Sequence, residues 1–199
     1  MKSIYNQIEE EIYSNERGTI YFPDSFANIG TPEAVRLALM RLTNSSVLIR
    51  VAQGIYCYPK IDKWHNIYIN PSIEDIAYAL AKRDKVRIIP TGGYVLNLLG
   101  LSTQVVANAI FLTDGSGRKI SIGKSKGILF KHTTEMRNFA YQSKMMQMIV
   151  FAFKEIGDNN YNDNHLVILK QHLQTVPKEL YKHDIQLAPA WIKKIITKL

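Results

Sequence analysis

The chain of 199 residues lacks the features that mark secreted, disulfide-stabilised or membrane-spanning proteins. Its single cysteine, Cys57, excludes an internal disulfide and fits a reducing compartment. The longest apolar run, Met148–Phe153, is far shorter than the roughly 20 residues that span a bilayer. Near the N-terminus, Lys2 is followed by three consecutive glutamates and by no apolar core of a signal peptide. These absences lead us to expect a cytoplasmic protein.

Motifs for catalysis and metal binding are equally sparse. The five histidines are scattered, and none forms a ligand pair three or four residues from another, so we expect no metal site. The glycine-rich segment Gly115–Lys119 is followed by strand-like residues rather than the helix of a phosphate-binding loop, which favours a hairpin turn over a nucleotide site. With no nucleophile motif and no close pair of aspartates on a strand, the sequence predicts neither an enzyme nor a cofactor.

What the chain does contain is a short amphipathic helix followed by a tight hairpin. Thr31 and Pro32 suit the N-cap and the first position of a helix. Apolar side chains then recur at helical spacing on one face, namely Val35, Ala38, Leu39 and Leu42. Residues 47–50 and 55–58 predict two short strands, and Gly54 between them can adopt a positive φ.

The elements that precede this helix and hairpin extend the pattern to the element order of a known fold. Residues 4–12 predict a first helix, residues 18–22 a short strand, and residues 23–28 one or two helical turns. Helix, strand, short helix, helix and two-stranded hairpin is the order of a winged helix-turn-helix, whose last helix enters a DNA groove. A helix and a hairpin also occur in other small α+β domains, so this second interpretation stays open.

The side chains opposite the apolar face are the candidates for contact with DNA. On the helix they are Glu33, Arg36, Leu37, Met40, Arg41 and Asn44, and on the hairpin they are Arg50 and Gln53. Arg36 is the best candidate for a base contact, because arginine pairs bidentately with guanine.

The length of the chain exceeds that of a lone winged helix, so we expect further structure behind it. We predict a winged helix-turn-helix DNA-binding domain over residues 1–60, a linker over residues 61–71, and a C-terminal effector domain over residues 72–199. Trp64 and Tyr68 of the linker are expected to pack between the two modules. The predicted class is α+β, with a mixed α/β second domain that has a small antiparallel sheet and C-terminal helices.

Within residues 72–199, Ser72 and Asp75 predict a capped helix start. Three β-like runs over residues 107–132 predict an antiparallel meander. Thr133 or Thr134 is expected to cap a long helix that ends at Ile156. Its expected core side chains are Met136, Phe139, Tyr141, Met146, Ile149, Val150 and Phe153. Further helices are expected near residues 164–175, 177–183 and 189–198.

The net charge of +8 is unevenly distributed along the chain. Residues 1–60 hold six basic and six acidic side chains, so the whole excess lies in residues 61–199. It is concentrated in two basic clusters, Lys82, Arg83, Lys85 and Arg87, and Arg118, Lys119, Lys124 and Lys126. Such runs are often solvated faces, but two unbalanced clusters indicate an acidic partner: DNA, RNA or an acidic protein. A neutral N-terminal module should bind DNA weakly alone, unless its acids face away or the second domain supplies phosphate contacts.

Two segments resemble one protein family. Residues 42–59, which end in Gly-Ile-Tyr-Cys-Tyr-Pro, are similar to the G-x-Y-x-x-P wing signature of AbiEi-type antitoxins. Residues 90–105, which end in Leu-Gly-Leu-Ser-Thr-Gln-Val, resemble the LGL(S/T)TQV core of the same family. That core leads into a β segment, as it does here at residues 111–115. The resemblance covers most of residues 3–135. It departs at Val106, where relatives commonly carry proline.

The resemblance implies an antitoxin of a type IV toxin–antitoxin system, a class linked to abortive infection. Such a protein binds inverted repeats in its own promoter as an autorepressor, and its C-terminal domain counters a nucleotidyltransferase-type toxin without a stable complex. Carried over to this chain, the DNA-binding positions are Thr31, Glu33, Arg36, Leu37, Met40, Arg41, Arg50 and Gln53. The alternative is a winged-helix transcriptional regulator with a ligand-binding or dimerisation domain and no toxin. An adjacent nucleotidyltransferase gene would distinguish the two.

Overall fold

The computed structural model describes residues 2–199, which form eight α-helices, two 3₁₀ helices and nine strands. The α+β class expected from the sequence is confirmed. The chain separates into two compact units. Unit 1 comprises the chain up to Ala79 together with Ser121–Lys124, and unit 2 comprises Leu80–Ile120 together with Ser125–Leu199.

Unit 1 begins with a three-stranded antiparallel sheet and two helices. Its first elements are α1 (Ile4–Ser14), β1 (Ile20–Tyr21), a 3₁₀ helix (Pro23–Phe26), α2 (Pro32–Asn44), β2 (Ile49–Ala52) and β3 (Ile55–Cys57). β3 lies between β1 and β2, so Cys57 has Ile20 on one side and Ile49 on the other. Gly54 closes the β2–β3 turn with a φ of +69°, a conformation that glycine adopts without steric cost.

The helical spacing of apolar residues determines the core of unit 1. α1 buries Ile8 and Ile12, and α2 buries the stripe expected from the sequence, Val35, Ala38, Leu39 and Leu42. These side chains form one cluster with Phe26, Leu48 and Tyr56. The apolar face predicted for α2 is thus confirmed, and the opposite face of the helix points away from this core.

The stretch expected to be a linker contains a separate hairpin. β4 (Lys60–Asp62) pairs antiparallel with β5 (Ile67–Ile69), and Ile61 lies opposite Tyr68. Trp64 in the connecting turn is 95% exposed and Tyr68 is 46% exposed, so the expectation that they pack between modules is wrong. Oδ1 of Asp62 accepts a hydrogen bond from the Trp64 amide at 2.9 Å, which shapes the turn without burying the indole ring.

α3 (Ile73–Asp84) starts with the cap that the sequence predicts. The Ser72 amide donates to Oδ2 of Asp75, and the Asp75 amide donates to Oγ of Ser72, each at 3.0 Å. The elements that follow are β6 (Ile88–Thr91), α4 (Gly92–Leu98), β7 (Asn108–Thr113), β8 (Arg118–Ile122), β9 (Lys126–His132), a 3₁₀ helix (Met136–Phe139), α5 (Lys144–Ile156), α6 (Asp163–Gln174), α7 (Lys178–Asp184) and α8 (Ala190–Ile196).

The second sheet is mixed and is not the expected meander. Its strand order is β6-β7-β9-β8, with β6 antiparallel to β7 and β7 parallel to β9. The connection from β7 to β8 is therefore not a hairpin turn, since it passes to the far side of β9. Gly117 lies close to β9 in this connection, since a Cβ there would be 3.3 Å from the carbonyl oxygen of Phe130. The prediction failed because strand order is set by such non-local contacts.

The long helix expected from Thr133 starts only at Lys144, so that prediction is wrong. The Thr133 amide instead donates to the carbonyl oxygen of Thr113 at 2.9 Å, which continues the pairing of β9 with β7. Ser143 is the actual cap, since its Oγ accepts a hydrogen bond from the Met146 amide at 3.2 Å. Met136, expected in the core, is 48% exposed.

α5 is the centre of the core of unit 2. Six of its side chains are at most 2% exposed, namely Met146, Ile149, Val150, Phe151, Ala152 and Phe153. They form one cluster with buried residues of the neighbouring helices, including Val95, Leu169 and Ile192. Phe139 and Tyr141 also contact this cluster, although both precede α5. The four buried positions expected within α5 are confirmed.

Candidate nucleic-acid interface

α2 carries a row of exposed side chains on the face opposite its buried stripe. The helix is fixed at its start by Thr31, whose Oγ1 accepts a hydrogen bond from the Ala34 amide at 3.4 Å, and by Pro32 at its first position. Because the apolar stripe faces the core, the intervening positions face outward. The exposed residues of this row are Glu33, Arg36, Leu37, Met40, Arg41 and Asn44. We call this row the α2 face.

The α2 face combines cationic, apolar and amide groups. Leu37 is 43% exposed and Met40 is 50% exposed. The Arg36 guanidinium and the Glu33 carboxylate are 4.0 Å apart, at the outer limit of an ion pair, and both side chains are mostly exposed. An exposed pair of this kind contributes little free energy, so the guanidinium can exchange it for another acceptor. Guanidinium groups match the acceptor atoms of guanine, and apolar side chains match the thymine methyl group.

The β2–β3 hairpin places the two remaining predicted residues at exposed positions. Arg50 and Gln53 are both exposed, and Gln53 lies in the turn beside Gly54. The pairing register between β2 and β3 shifts between Arg50 and Ala52, so the ladder is irregular at Arg50. The site that a Cβ would occupy on Gly54 has no atom within 4 Å. The turn is therefore sterically open at this glycine.

The arginines of the two basic clusters are paired with aspartates of unit 2. Nε of Arg83 lies 2.8 Å from Oδ1 of Asp84, and Arg118 binds the other oxygen of the same carboxylate. Nε of Arg87 lies 2.7 Å from Oδ2 of Asp114, and the Arg87 amide donates to Oδ1 at 2.8 Å. The Arg118–Asp84 pair connects β8 with α3. The Arg87–Asp114 pair connects the residue before β6 with the residue after β7. The three arginines thus form part of the framework of unit 2.

The two aspartates show the electrostatic consequence of this pairing. Desolvation by burial alone raises the pKa of Asp84 and of Asp114, but the hydrogen bonds and charges of the arginines outweigh it, so both pKa values lie below the ordinary 3.8. Both carboxylates are therefore ionised at neutral pH. Their contribution to stability is present above the ordinary carboxyl pKa and is lost as the pH falls through the lowered value.

The lysines of the basic clusters differ from the arginines. All five lysines are exposed and have no acidic partner within residues 2–199, namely Lys82, Lys85, Lys119, Lys124 and Lys126. They lie at the end of α3, on β8, in the β8–β9 turn and at the start of β9. A lysine ammonium is a point charge that suits phosphate groups but does not match the edge of a base bidentately. These residues can contribute electrostatic attraction to an acidic partner.

The glycine-rich segment after β7 has internal partners. Nδ1 of His132 lies 2.8 Å from the carbonyl oxygen of Gly115. A cavity of about 240 Å³ lies beside this loop and is lined in part by Asp84, Ser116 and Arg118. Arg118 stacks over the Phe130 ring at 5.3 Å and binds Asp84. As expected, β8 and not a helix follows the loop.

Residues 2–199 contain neither a cluster of metal ligands nor a membrane-spanning helix. No group of three or more histidine, cysteine, aspartate or glutamate side chains is placed to hold a metal ion there. Within the same residues, no helix has both the length and the apolar character needed to cross a bilayer.

The chain matches a defined protein family. A family of unknown function, DUF6088, matches residues 7–185, so the chain belongs to this family. The matched range includes the α2 face, the β2–β3 hairpin and the second sheet. No curated protein matches the chain.

The chain has an exposed surface that the sequence did not predict. The hairpin of β4 and β5, which we call the outer hairpin (Lys60–Ile69), exposes Trp64, Ile67, Tyr68 and Ile69 by 46–95%. The available signal was a β-rich run, Ile67-Tyr68-Ile69, flanked by an asparagine on each side. Because residues 61–71 were expected to form a linker, this run was not predicted to be a strand.

Proposed function

We propose that the chain is a DNA-binding protein whose N-terminal part is a winged helix-turn-helix, with α2 as the recognition helix and the β2–β3 hairpin as the wing. The observation that carries this proposal is the α2 face, an exposed row with two arginines and one glutamate opposite a fully buried stripe. The order of α1, β1, the 3₁₀ helix, α2, β2 and β3 supports it, as does the sheet order β1-β3-β2.

In this proposal α2 lies in the major groove. Arg36 donates two hydrogen bonds to the O6 and N7 atoms of a guanine, and Leu37 or Met40 contacts a thymine methyl group. Arg41 and the wing residues Arg50 and Gln53 bind the phosphate backbone and fix the register of the helix on the duplex.

The neutral charge of residues 1–60 is compatible with this role. Glutamates of α1 are engaged within α1 and its N-terminal flank, since Nζ of Lys2 lies 2.7 Å from Glu10 and the Tyr5 hydroxyl donates to Glu9 at 3.1 Å. The α2 face itself carries a net positive charge. Additional phosphate attraction would come from exposed lysines such as Lys82 and Lys119.

We further propose that the protein is a cytoplasmic type IV antitoxin that represses its own promoter and counters a nucleotidyltransferase-type toxin. Support comes from the resemblance of residues 42–59 and 90–105 to AbiEi-type antitoxins. A transcriptional regulator without a toxin is the second candidate, supported by the same α2 face. The genes adjacent to the coding sequence separate the two, because only the antitoxin requires a neighbouring nucleotidyltransferase.

DNA binding is tested by fluorescence anisotropy with the whole chain. One duplex carries the repeats upstream of the gene, and the second has the same composition in scrambled order, both at one fixed salt concentration. We expect the upstream duplex to bind more tightly by about 10³-fold or more, the usual margin of specific over non-specific binding. Equal affinity for the two duplexes would overturn the proposal.

The antitoxin role is tested separately by co-expression with the neighbouring toxin gene. The wild-type chain is expected to restore growth, and the Arg36→Ala chain is expected to restore growth equally while it loses promoter repression. Failure of the wild-type chain to restore growth would contradict the antitoxin role and leave the DNA-binding proposal intact.

A further inference from the structure

The outer hairpin carries apolar side chains that residues 2–199 leave about half exposed. Ile67 is 58% exposed, Tyr68 is 46% exposed and Ile69 is 47% exposed. β4 and β5 form a sheet of only two strands, so the outer edge of β5 pairs with no other strand of the described chain. A free, uncharged strand edge is a template for pairing with another chain. A two-stranded hairpin is also marginally stable in water, so a further strand would stabilise it.

The sequence of this edge is complementary to itself. Residues 66–70 read Asn-Ile-Tyr-Ile-Asn, which is the same in both directions about Tyr68. If two copies pair antiparallel about a two-fold axis at Tyr68, each Ile67 faces Ile69 of the second copy and each Asn66 faces Asn70. No charge meets a like charge across this pairing. β4 differs, because it contains the charged residues Lys60 and Asp62.

We propose that the chain forms a homodimer through β5, in which two outer hairpins join into one four-stranded antiparallel sheet. The interface is isologous, as a two-fold axis requires. Opposed isoleucines and tyrosines provide the cross-strand contacts that stabilise a sheet. One strand from each chain makes a small interface, so the dissociation constant is on the order of micromolar. The dimer does not depend on DNA, although a two-fold pair of α2 helices would match inverted repeats.

Sedimentation velocity without DNA tests the dimer over about 1–100 μM protein, a range that brackets a micromolar constant. The weight-average mass of the wild type is expected to rise from 22.8 kDa towards twice that value.

The Ile67→Lys/Ile69→Lys chain places lysines opposite each other and is expected to weaken association at least tenfold. In the Ile67→Lys/Ile69→Glu chain, the lysine at position 67 faces the glutamate at position 69 of the second copy. Within each hairpin, the lysine at position 67 also lies opposite Asp62 and the glutamate at position 69 lies opposite Lys60. Association is therefore expected to return. Val167→Lys, a change at a 55% exposed position on α6, is the control and is expected to dimerise normally.

A wild type that remains at 22.8 kDa throughout the range would overturn the dimer. So would a Lys/Lys variant that associates like the wild type, or a Lys/Glu variant that associates no better than the Lys/Lys variant. A wild-type monomer that binds DNA selectively would contradict the dimer alone, whereas a wild-type dimer without selectivity would contradict only the proposed function.

Cysteine cross-linking tests the register without added charge. Directly opposed Cβ atoms lie about 4.5–5.5 Å apart in an antiparallel pair, which is close enough for a disulfide after a small adjustment. Tyr68→Cys is expected to form a covalent dimer under mild oxidation, and Ile67→Cys much less, because position 67 faces position 69. The native Cys57 is 1% exposed and should not react. Equal cross-linking of the two variants would contradict the proposed register.

Discussion

Replacement of Arg36 by alanine is expected to weaken binding to the upstream duplex by roughly 5- to 150-fold, which corresponds to about 1–3 kcal/mol for a bidentate arginine–guanine pair. Binding to the scrambled duplex should change much less, because the lost contact reads a base and not a phosphate. Arg36 is exposed, and its one ion-pair contact within residues 2–199 is the 4.0 Å contact with Glu33, so its loss should not disturb the fold. Anisotropy titrations with both duplexes at equal salt measure the ratio.

Lys170→Ala is the matched control for this experiment. Lys170 is an exposed cation on α6, so the variant loses the same unit of charge from a position outside the α2 face. Its binding to the upstream duplex should remain close to that of the wild type. If Arg36→Ala weakens both duplexes equally, Arg36 contacts phosphate. If it weakens neither, the assignment of α2 as the recognition helix is wrong.

Replacement of Asp184 by alanine is expected to reduce the free energy of unfolding by about 3 kcal/mol, from loss of buried hydrogen bonds. Asp184 is fully buried, and its carboxylate accepts hydrogen bonds from the Gln142 amide at 2.9 Å and from the Ser143 amide at 2.8 Å. Nδ1 of His183 lies 2.8 Å from the same carboxylate. Alanine would leave the amides at the start of α5 without their acceptor.

Urea unfolding of the full chain measures this effect. Asp184→Asn, which keeps a side-chain oxygen at the same place, should cost less than Asp184→Ala because one acceptor remains. Glu179→Ala on the exposed side of α7 is the control and should change stability by less than about 0.5 kcal/mol. A loss below about 0.5 kcal/mol for Asp184→Ala would contradict a structural role for this carboxylate.

Local sequence signals predicted several elements of the fold because their causes are local. Thr31 and Pro32 start α2, and the Ser72–Asp75 pair starts α3, through contacts between residues three positions apart or fewer. The buried stripe of α2 follows from helical periodicity alone, and the exposed side chains opposite it follow from the same period. The exposure of the candidate residues on α2 therefore follows from the sequence pattern.

Strand order and long-range ion pairs could not be predicted from the sequence, because they depend on contacts between residues far apart in the chain. The parallel pairing of β7 with β9 depends on a connection that crosses β9, and nothing within residues 107–132 distinguishes it locally from a meander. The Ser143 hydroxyl caps α5 locally, but the Ser143 amide is bound by Asp184 from 41 positions away, a contact that no local pattern predicts. The partner of Arg118 is likewise 34 positions away, so its role as a paired framework residue could not be read from a run of basic residues.

The most direct test of the central claim is a photo-cross-linking measurement that asks which helix touches DNA. A benzophenone amino acid is placed at Met40 on the α2 face, which is 50% exposed, or at Val167 on α6, which is 55% exposed, in otherwise wild-type chains. Irradiation with the labelled upstream duplex is expected to give a covalent protein–DNA adduct from position 40 and none above background from position 167. No adduct from position 40, or equal yields from both positions, would contradict the account.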